Sequence, residues 1–269
     1  MIKPFKLSNK HVMPAVGFGT WQITEGAYEA TLSALNLGYR HIDTAEDYGN
    51  EAEVGKAIKD SKIKRSDIFV TTKLPSHIKT YDEALTHFDA SLKRLDLTYV
   101  DLYLIHAPWP WSHIGSDHTQ GNIAVWKAMI TLYEKGLIKS IGVSNFSISD
   151  IEAIVKATNF VPHANQIPLY ISHTQDELRT YCKKHDILVE AYSPLATGKL
   201  LKVKEIVDMA NKYHVTPAQL CIRFCLELDS VPLPKSTNPD RIKNNFELDF
   251  VIDKADLKVL MNLKDIIKE

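Results

Sequence analysis

Asp43 and Tyr48 lie five positions apart in His41-Ile42-Asp43-Thr44-Ala45-Glu46-Asp47-Tyr48-Gly49-Asn50-Glu51, a carboxylate at the end of an apolar run and a phenol in the loop after it. Lys73 ends the run Phe69-Val70-Thr71-Thr72-Lys73, and His106 ends the run from Leu102. Each has an ordinary explanation when taken singly; placed together at neighbouring strand ends they describe proton-transfer chemistry. An ammonium buried alone is costly, so Lys73 needs a carboxylate, and Asp43 can supply it. A cation beside a phenol is expected to lower its pKa from about 10. That suits an acid that must protonate a developing alkoxide near neutral pH, with His106 orienting a carbonyl by a hydrogen bond.

These residues need a frame that brings strand ends together. Short β-type runs alternate with helical periodicity along the chain. The strands are expected at Ala15 to Phe18, His41 to Ala45, Phe69 to Lys73, Leu102 to His106, Ser140 to Ser144, Ala164 to Ile167, Leu188 to Tyr192 and Val231 to Lys235. Helices are expected at Ala27 to Leu37, from near Asn50, at Asp82 to Leu95, Ile123 to Glu134, Ser149 to Thr158 and Gln175 to His185. Two runs, Val203 to Tyr213 and Pro217 to Leu228, separate the last two strands, so one is an addition to the repeat; helical pattern resumes at Pro239 to Asn245 and Ala255 to Lys264. Phe5-Lys6-Leu7 and Val12-Met13-Pro14 flank a polar turn and read as a small hairpin. Eight βα units without a linker predict one α/β domain over 1–269, a (β/α)8 TIM barrel with an N-terminal β-hairpin and auxiliary helices. The rival is a doubly wound sheet with Gly17-Phe18-Gly19-Thr20-Trp21-Gln22 as its phosphate loop and Asp43 as its ribose acid. Gln22 replaces the third glycine there, and eight repeats exceed the usual strand number; the glycines are expected to serve a tight turn.

A chain of 269 residues with 45% hydrophobic and 24% charged residues and a net charge of −1 fits an ordinary globular protein, with no charge signature for nucleic acid or a membrane surface. No run is long enough to span a bilayer, and no apolar stretch follows Met1-Ile2-Lys3-Pro4-Phe5, so a cytoplasmic protein without a signal peptide is expected. Cys182, Cys221 and Cys225 form no CxxC pair and read as small buried hydrophobes. His113 and His118 lack a third ligand, so no metal is expected.

The tetrad Asp43, Tyr48, Lys73 and His106 resembles that of the aldo-keto reductases, especially the short bacterial-type members. The resemblance extends through Gly17-Phe18-Gly19-Thr20-Trp21, Gly142-Val143-Ser144-Asn145-Phe146, Asn165-Gln166, Ala191-Tyr192-Ser193-Pro194-Leu195 and Pro234-Lys235-Ser236-Thr237-Asn238-Pro239-Asp240-Arg241-Ile242. It implies reversible hydride transfer between a nicotinamide cofactor and an aldehyde, ketone or dicarbonyl, with Tyr48 as general acid in reduction. It further implies that Ser144, Asn145 and Gln166 hold the carboxamide and Tyr192 stacks on the ring, with Ser193 and Leu195 following. Thr20, Trp21 and Asp43 come to the ribose side and Asn244 and Asn245 to the adenine. Lys235 and Arg241 offer cations, Ser236 and Thr237 hydroxyls, and a helix start near Asn238 backbone donors, which suits a 2′-phosphate and so NADPH/NADP+.

Trp21, Tyr48, His106 and one or both of Trp109 and Trp111 are expected to line the substrate pocket. Asn244 is shorter than the Glu or Gln the family usually carries there, and Ala107 follows His106 where relatives often have Trp. The last helical pattern closes near Glu269, which leaves no counterpart to the family's extended C-terminal tail and predicts an open pocket. A monomer or weak oligomer acting on small carbonyl substrates is the expectation. Two other readings remain open: an NADPH-binding regulatory or partner subunit with negligible turnover, and a barrel aldolase with Lys73 as a Schiff-base lysine, which requires a depressed lysine pKa.

Overall fold

Eight strands, each parallel to its neighbours, form one sheet in which sequence order is also spatial order. The computed structural model describes residues 2–264 together with 266 and 267. The first two strands, β1 (Phe5–Lys6) and β2 (Val12–Met13), pair antiparallel as the expected hairpin. The eight-stranded sheet comprises β3 (Phe18–Gly19), β4 (His41–Asp43), β5 (Phe69–Leu74), β6 (Val100–Ile105), β7 (Ile138–Ser144), β8 (Ala164–Pro168), β9 (Leu188–Tyr192) and β10 (Ser230–Leu233). Every residue of β5 and β6 is buried, as it must be in a parallel sheet covered on both faces.

β6 and β7 each begin two residues before the expected start and β4 ends two residues before its expected end, while closure between β3 and β10 sets the bounds of the barrel's first and last strands. Gly17 N donates to Pro232 O and Gly19 N to Pro234 O, both at 3.0 Å, completing the barrel. Pro232 and Pro234 have no N–H to return, so no regular ladder forms, and the first and last strands are shorter than their apolar runs. Gly17 and Gly19 therefore serve this close approach rather than a tight turn or a phosphate loop. A Cβ on Gly17 would stand 2.5 Å from Leu233 Cδ2, and one on Gly19 would stand 3.2 Å from the Leu233 carbonyl oxygen.

The helices are α1 (Ala27–Asn36), α2 (Glu51–Asp60), α3 (Tyr81–Leu95), α4 (Thr119–Glu134), α5 (Ile148–Thr158), α6 (Asp176–Lys184), α7 (Lys204–Lys212), α8 (Pro217–Glu227), α9 (Pro239–Asn244) and α10 (Lys254–Asn262). Reciprocal side-chain and backbone bonds between Ser147 and Asp150, and between Thr216 and Gln219, start α5 and α8. Helix α8 packs on β10, whereas α7 packs on α8 and the turns before it, so α7 is the addition to the repeat.

Two apolar clusters result. The larger lies between strands and helices. The smaller fills the barrel with Phe69, Leu102, Leu104, Ala164, Val231 and Leu233, and the hairpin's Leu7 and Met13 complete it. Asn9 Nδ2 donates to Lys139 O at 2.9 Å and His11 bonds Asp101 at 3.1 Å, so the hairpin lies across the N-terminal mouth of the barrel. The C-terminal mouth is left to the functional residues.

Candidate active site

The turn after β4 decides where the phenol goes. Residues Glu46–Tyr48 make one 3-10 turn that ends at Gly49, whose φ of 71° lies in the left-handed region that glycine enters without a Cβ penalty. This brings Tyr48 back over the barrel mouth. Lys73, fully buried on β5, donates from Nζ to Asp43 Oδ1 at 2.7 Å, to the Thr44 carbonyl at 3.0 Å and to Tyr48 Oη at 3.3 Å. The ammonium also lies 4.9 Å from the Tyr48 ring centroid. His106, the residue after β6, has its ring centroid 5.5 Å from that of Tyr48, edge to face. The four residues read from the sequence as one constellation stand together at one end of the barrel.

Their electrostatics follow the expected scheme in part. Burial works against a charged Lys73, but Asp43 and the phenol outweigh it and hold the lysine well above its ordinary pKa. A Schiff-base lysine needs the opposite shift, so the aldolase reading fails here. Tyr48 departs from expectation: burial raises its pKa, Lys73 lowers it, Asp43 raises it, and the net direction is upward. Desolvation of the phenolate exceeds the attraction of a cation already half-spent on Asp43. Tyr48 therefore keeps its proton at neutral pH.

On the substrate side, His106 Nδ1 bonds Asp47 Oδ2 at 3.1 Å, and burial lowers the imidazole pKa despite that bond. Trp111 meets His106 edge to face at 5.5 Å, and Trp109 meets Trp111 at 5.1 Å. Trp111 is therefore the loop tryptophan against the histidine, with Trp109 behind it. Trp21, just after β3, is 45% exposed and Trp111 44%.

The residues assigned to a cofactor fall into two groups. Near the tetrad, Ser144 Oγ donates to Gln166 O at 2.9 Å, Asn145 Nδ2 donates to His106 O at 3.0 Å, and Tyr192 Oη donates to Asn145 Oδ1 at 2.7 Å. Gln166 Nε2 donates to Asp43 Oδ2 at 2.8 Å and to Glu190 Oε2 at 3.3 Å, while its amide oxygen takes no bond within the described chain. An acceptor left over in this way, beside a half-buried phenol ring, fits a carboxamide and its aromatic ring. Thr20 Oγ1 donates to Asp43 O at 3.1 Å, tying the β3 end to the same cluster. Ser193 has φ of 50°, and the Leu195 carbonyl accepts from Gly198 N, so both belong to a tightly turned segment after β9.

The second group follows β10. Lys235, Thr237, Arg241 and Asn244 are exposed, and Ser236 and Asn245 are buried. Among the described residues neither Lys235 nor Arg241 has an acidic partner, and such uncommitted cations suit a phosphate. The helix start contributes less than expected, because α9 has only six residues and Asn238 Oδ1 already takes the Arg241 N–H at 3.0 Å.

Sequence reasoning did not find Asp47, Glu190 or the base of the tryptophan loop. Asp47 adjoins Tyr48 and was visible as an acid, but its reach to His106 spans 59 positions. Glu190 is fully buried on β9, 3.6 Å from His41 Nε2. Lys79 Nζ donates to the Ala107 carbonyl at 3.1 Å and to Asn122 Oδ1 at 2.7 Å, and Asn122 Nδ2 donates to the Pro108 carbonyl at 2.9 Å. Among the described residues, no group of three or more His, Cys, Asp or Glu is arranged to hold a metal, and no helix is long and apolar enough to cross a membrane.

A family model described as Aldo/keto reductase family matches residues 15–264. Methylglyoxal reductase DkgA of Escherichia coli (strain K12) is 43% identical over an alignment covering 96% of this chain and 92% of that protein. Glycerol 2-dehydrogenase (NADP(+)) of Saccharomyces cerevisiae is 41% identical, covering 97% and 90%. The crystal structure of an aldo/keto reductase from Brucella melitensis superposes with a TM-score of 0.91 at 44% identity, covering 97% of this chain and 99% of that one.

Proposed function

The chain belongs to the aldo/keto reductase family, and from that premise we propose that it is an NADPH-dependent oxidoreductase reducing aldehydes, ketones or dicarbonyls to alcohols, with Tyr48 as the proton donor. The observation that carries this reading is the single ammonium of Lys73 bonded at once to Asp43 and to the Tyr48 hydroxyl. It fixes the phenol's position and leaves a cation beside the oxygen that must become a phenolate when the proton leaves. The similarity to proteins named methylglyoxal reductase and glycerol 2-dehydrogenase (NADP(+)) supports a carbonyl and alcohol couple with an NADP cofactor.

NADPH, when bound, would supply the hydride. Ser144, Asn145 and Gln166 would hold its carboxamide, Tyr192 its ring, and Lys235, Ser236, Thr237 and Arg241 its 2′-phosphate. The remainder is positioning by the chain itself. Tyr48 and the rings of His106 and Trp111 bound the place where a carbonyl oxygen would sit, and the β-strand ends keep these groups from drifting apart. Asp43 and Gln166 are joined at 2.8 Å, so the carboxylate that compensates Lys73 also orients the amide assigned to the carboxamide.

The test is NADPH oxidation, followed by absorbance, against a panel of aldehydes, ketones and dicarbonyls, with NADH in parallel and a Tyr48→Phe variant. Turnover that prefers NADPH and falls about 10²–10⁴-fold in the variant is expected, the range for losing a general acid. NADPH binding without turnover on any carbonyl would replace this reading with that of a regulatory or partner subunit.

A further inference from the structure

A 3-10 turn has three residues to the turn, so the successive side chains of Glu46, Asp47 and Tyr48 leave it about 120° apart, and each finds a different partner. The Tyr48 hydroxyl accepts from Lys73 Nζ at 3.3 Å, Asp47 bonds His106 Nδ1 at 3.1 Å, and Glu46 reaches the outer helix α3. There Glu46 Oε1 accepts from His87 Nδ1 at 3.0 Å and lies 3.2 Å from Arg94 Nη2, while its second oxygen lies 3.1 Å from the same His87 nitrogen. The Glu46 side chain is only 18% exposed, which shields these bonds from solvent. The backbone of the turn contributes two bonds of its own, from Tyr48 N to Ala45 O and from Gly49 N to Glu46 O, both at 3.1 Å.

Arg94 holds more than Glu46. Its Nε donates to Glu51 Oε2 at 2.7 Å, and Glu51 Oε1 accepts from Thr72 Oγ1 at 2.6 Å. Thr72 precedes Lys73 on β5, and side chains alternate along a strand, so the lysine faces the barrel interior while the threonine faces the helices. One guanidinium outside the barrel wall therefore ties both backbone segments that carry the phenol and the ammonium: the turn ahead of Tyr48, and the strand ahead of Lys73. Its planar fork of donors suits two carboxylates at once. Resting on the reductase reading above, we propose that Glu46 is a positioning residue for the proton donor: gripped from α3 by Arg94 and His87, it fixes the angle at which the turn delivers Tyr48 to Lys73. A hydroxyl that swings away no longer meets both the ammonium and a carbonyl oxygen, and that loss falls on the transition state more than on binding.

Glu46→Ala cuts the grip and leaves Arg94 bonded to the buried Glu51, so the variant is expected to fold. The first readout is independent of turnover. By NMR, the amide protons of Tyr48 and Gly49 are expected to exchange roughly tenfold faster, the order of one lost hydrogen bond. The amide of Val54 in α2, bonded to the Asn50 carbonyl, should keep its wild-type rate. NADPH affinity, followed by fluorescence titration, should not change. In carbonyl reduction kcat and kcat/KM are expected to fall together, by about 10–100-fold, with KM moved less than about twofold. Glu46→Gln still offers Arg94 an acceptor oxygen and should recover part of the rate. Arg94→Lys lacks the fork that holds two carboxylates, and the same two amides are expected to quicken there. Unchanged exchange at Tyr48 and Gly49 in Glu46→Ala, or a loss confined to KM, would overturn the proposal. Faster exchange at Val54 as well would make Glu46 a general stabiliser and overturn it too. If wild type turns over no carbonyl the reductase reading falls, and the exchange rates alone then uphold or overturn the grip on the turn.

Discussion

Beneath the tetrad, Glu190 and His41 share the barrel interior, fully buried, with Glu190 Oε1 and His41 Nδ1 each lacking a hydrogen bond among the described residues. Burial, reinforced by Asp43, pushes the Glu190 carboxyl up to about 8, and burial pushes His41 down to about 4. The signs give opposite pH dependences. A carboxyl raised on folding stabilises the protein below its unfolded value, and that contribution is lost as pH rises through about 8. A histidine lowered on folding stabilises above its unfolded value, and that contribution is lost as pH falls through about 4. Glu190→Gln is therefore expected to flatten the decline in melting temperature between roughly pH 5 and 8 while leaving the acid limb in place. Thermal unfolding across that range would show it, and parallel wild-type and variant curves would contradict it. The same substitution leaves Gln166 tied to Asp43, so cofactor binding at pH 7 should change little.

At the level of elements, the loop from Ala107 to His118 depends on a latch formed by Lys79 and Asn122, which hold the carbonyls of Ala107 and Pro108. Lys79 carries its charge into a half-buried place without a contacting carboxylate, and burial lowers its pKa to about 8. Lys79→Met should free the loop base: amide exchange in residues 107–118 is expected to quicken, and KM for carbonyls to rise several-fold with kcat less affected. Unchanged exchange there would mean the tryptophan wall stands without the latch. This contact also marks the boundary of what the sequence discloses. Alternating apolar runs and helical faces are local patterns, so the barrel and the strand-end positions of Asp43, Lys73 and His106 were readable. Contacts such as Lys79 to Ala107 or Asp47 to His106 depend on the angle at which a loop leaves a strand, and no periodicity encodes that angle. The direction of the Tyr48 shift was misread for a related reason. The charge on Lys73 is visible in the sequence, but the desolvation that outweighs it comes only from the packed site.

Taken whole, the molecule divides its labour between two ends. The hairpin closes the N-terminal mouth with Leu7 and Met13, 3% and 0% exposed, and the groups assigned to the reaction occupy the other. Met13→Ala should thus cost about 2–5 kcal/mol of stability in a denaturant titration, with kcat/KM little changed while the protein stays folded; a matching loss of activity would show the ends to be coupled. Between them runs a ring with seven strand pairings and an eighth join of another kind. At that join Gly17 and Gly19 give N–H groups to Pro232 and Pro234, and nothing is given back. A cylinder fastened in this way has a preferred line of parting. When it breathes, it should unzip there first, and the amide protons of Gly17 and Gly19 should trade with solvent sooner than those buried in β5 and β6. The first and last strands are also the two farthest apart in the chain, so the step that completes the barrel in folding is the one most easily undone.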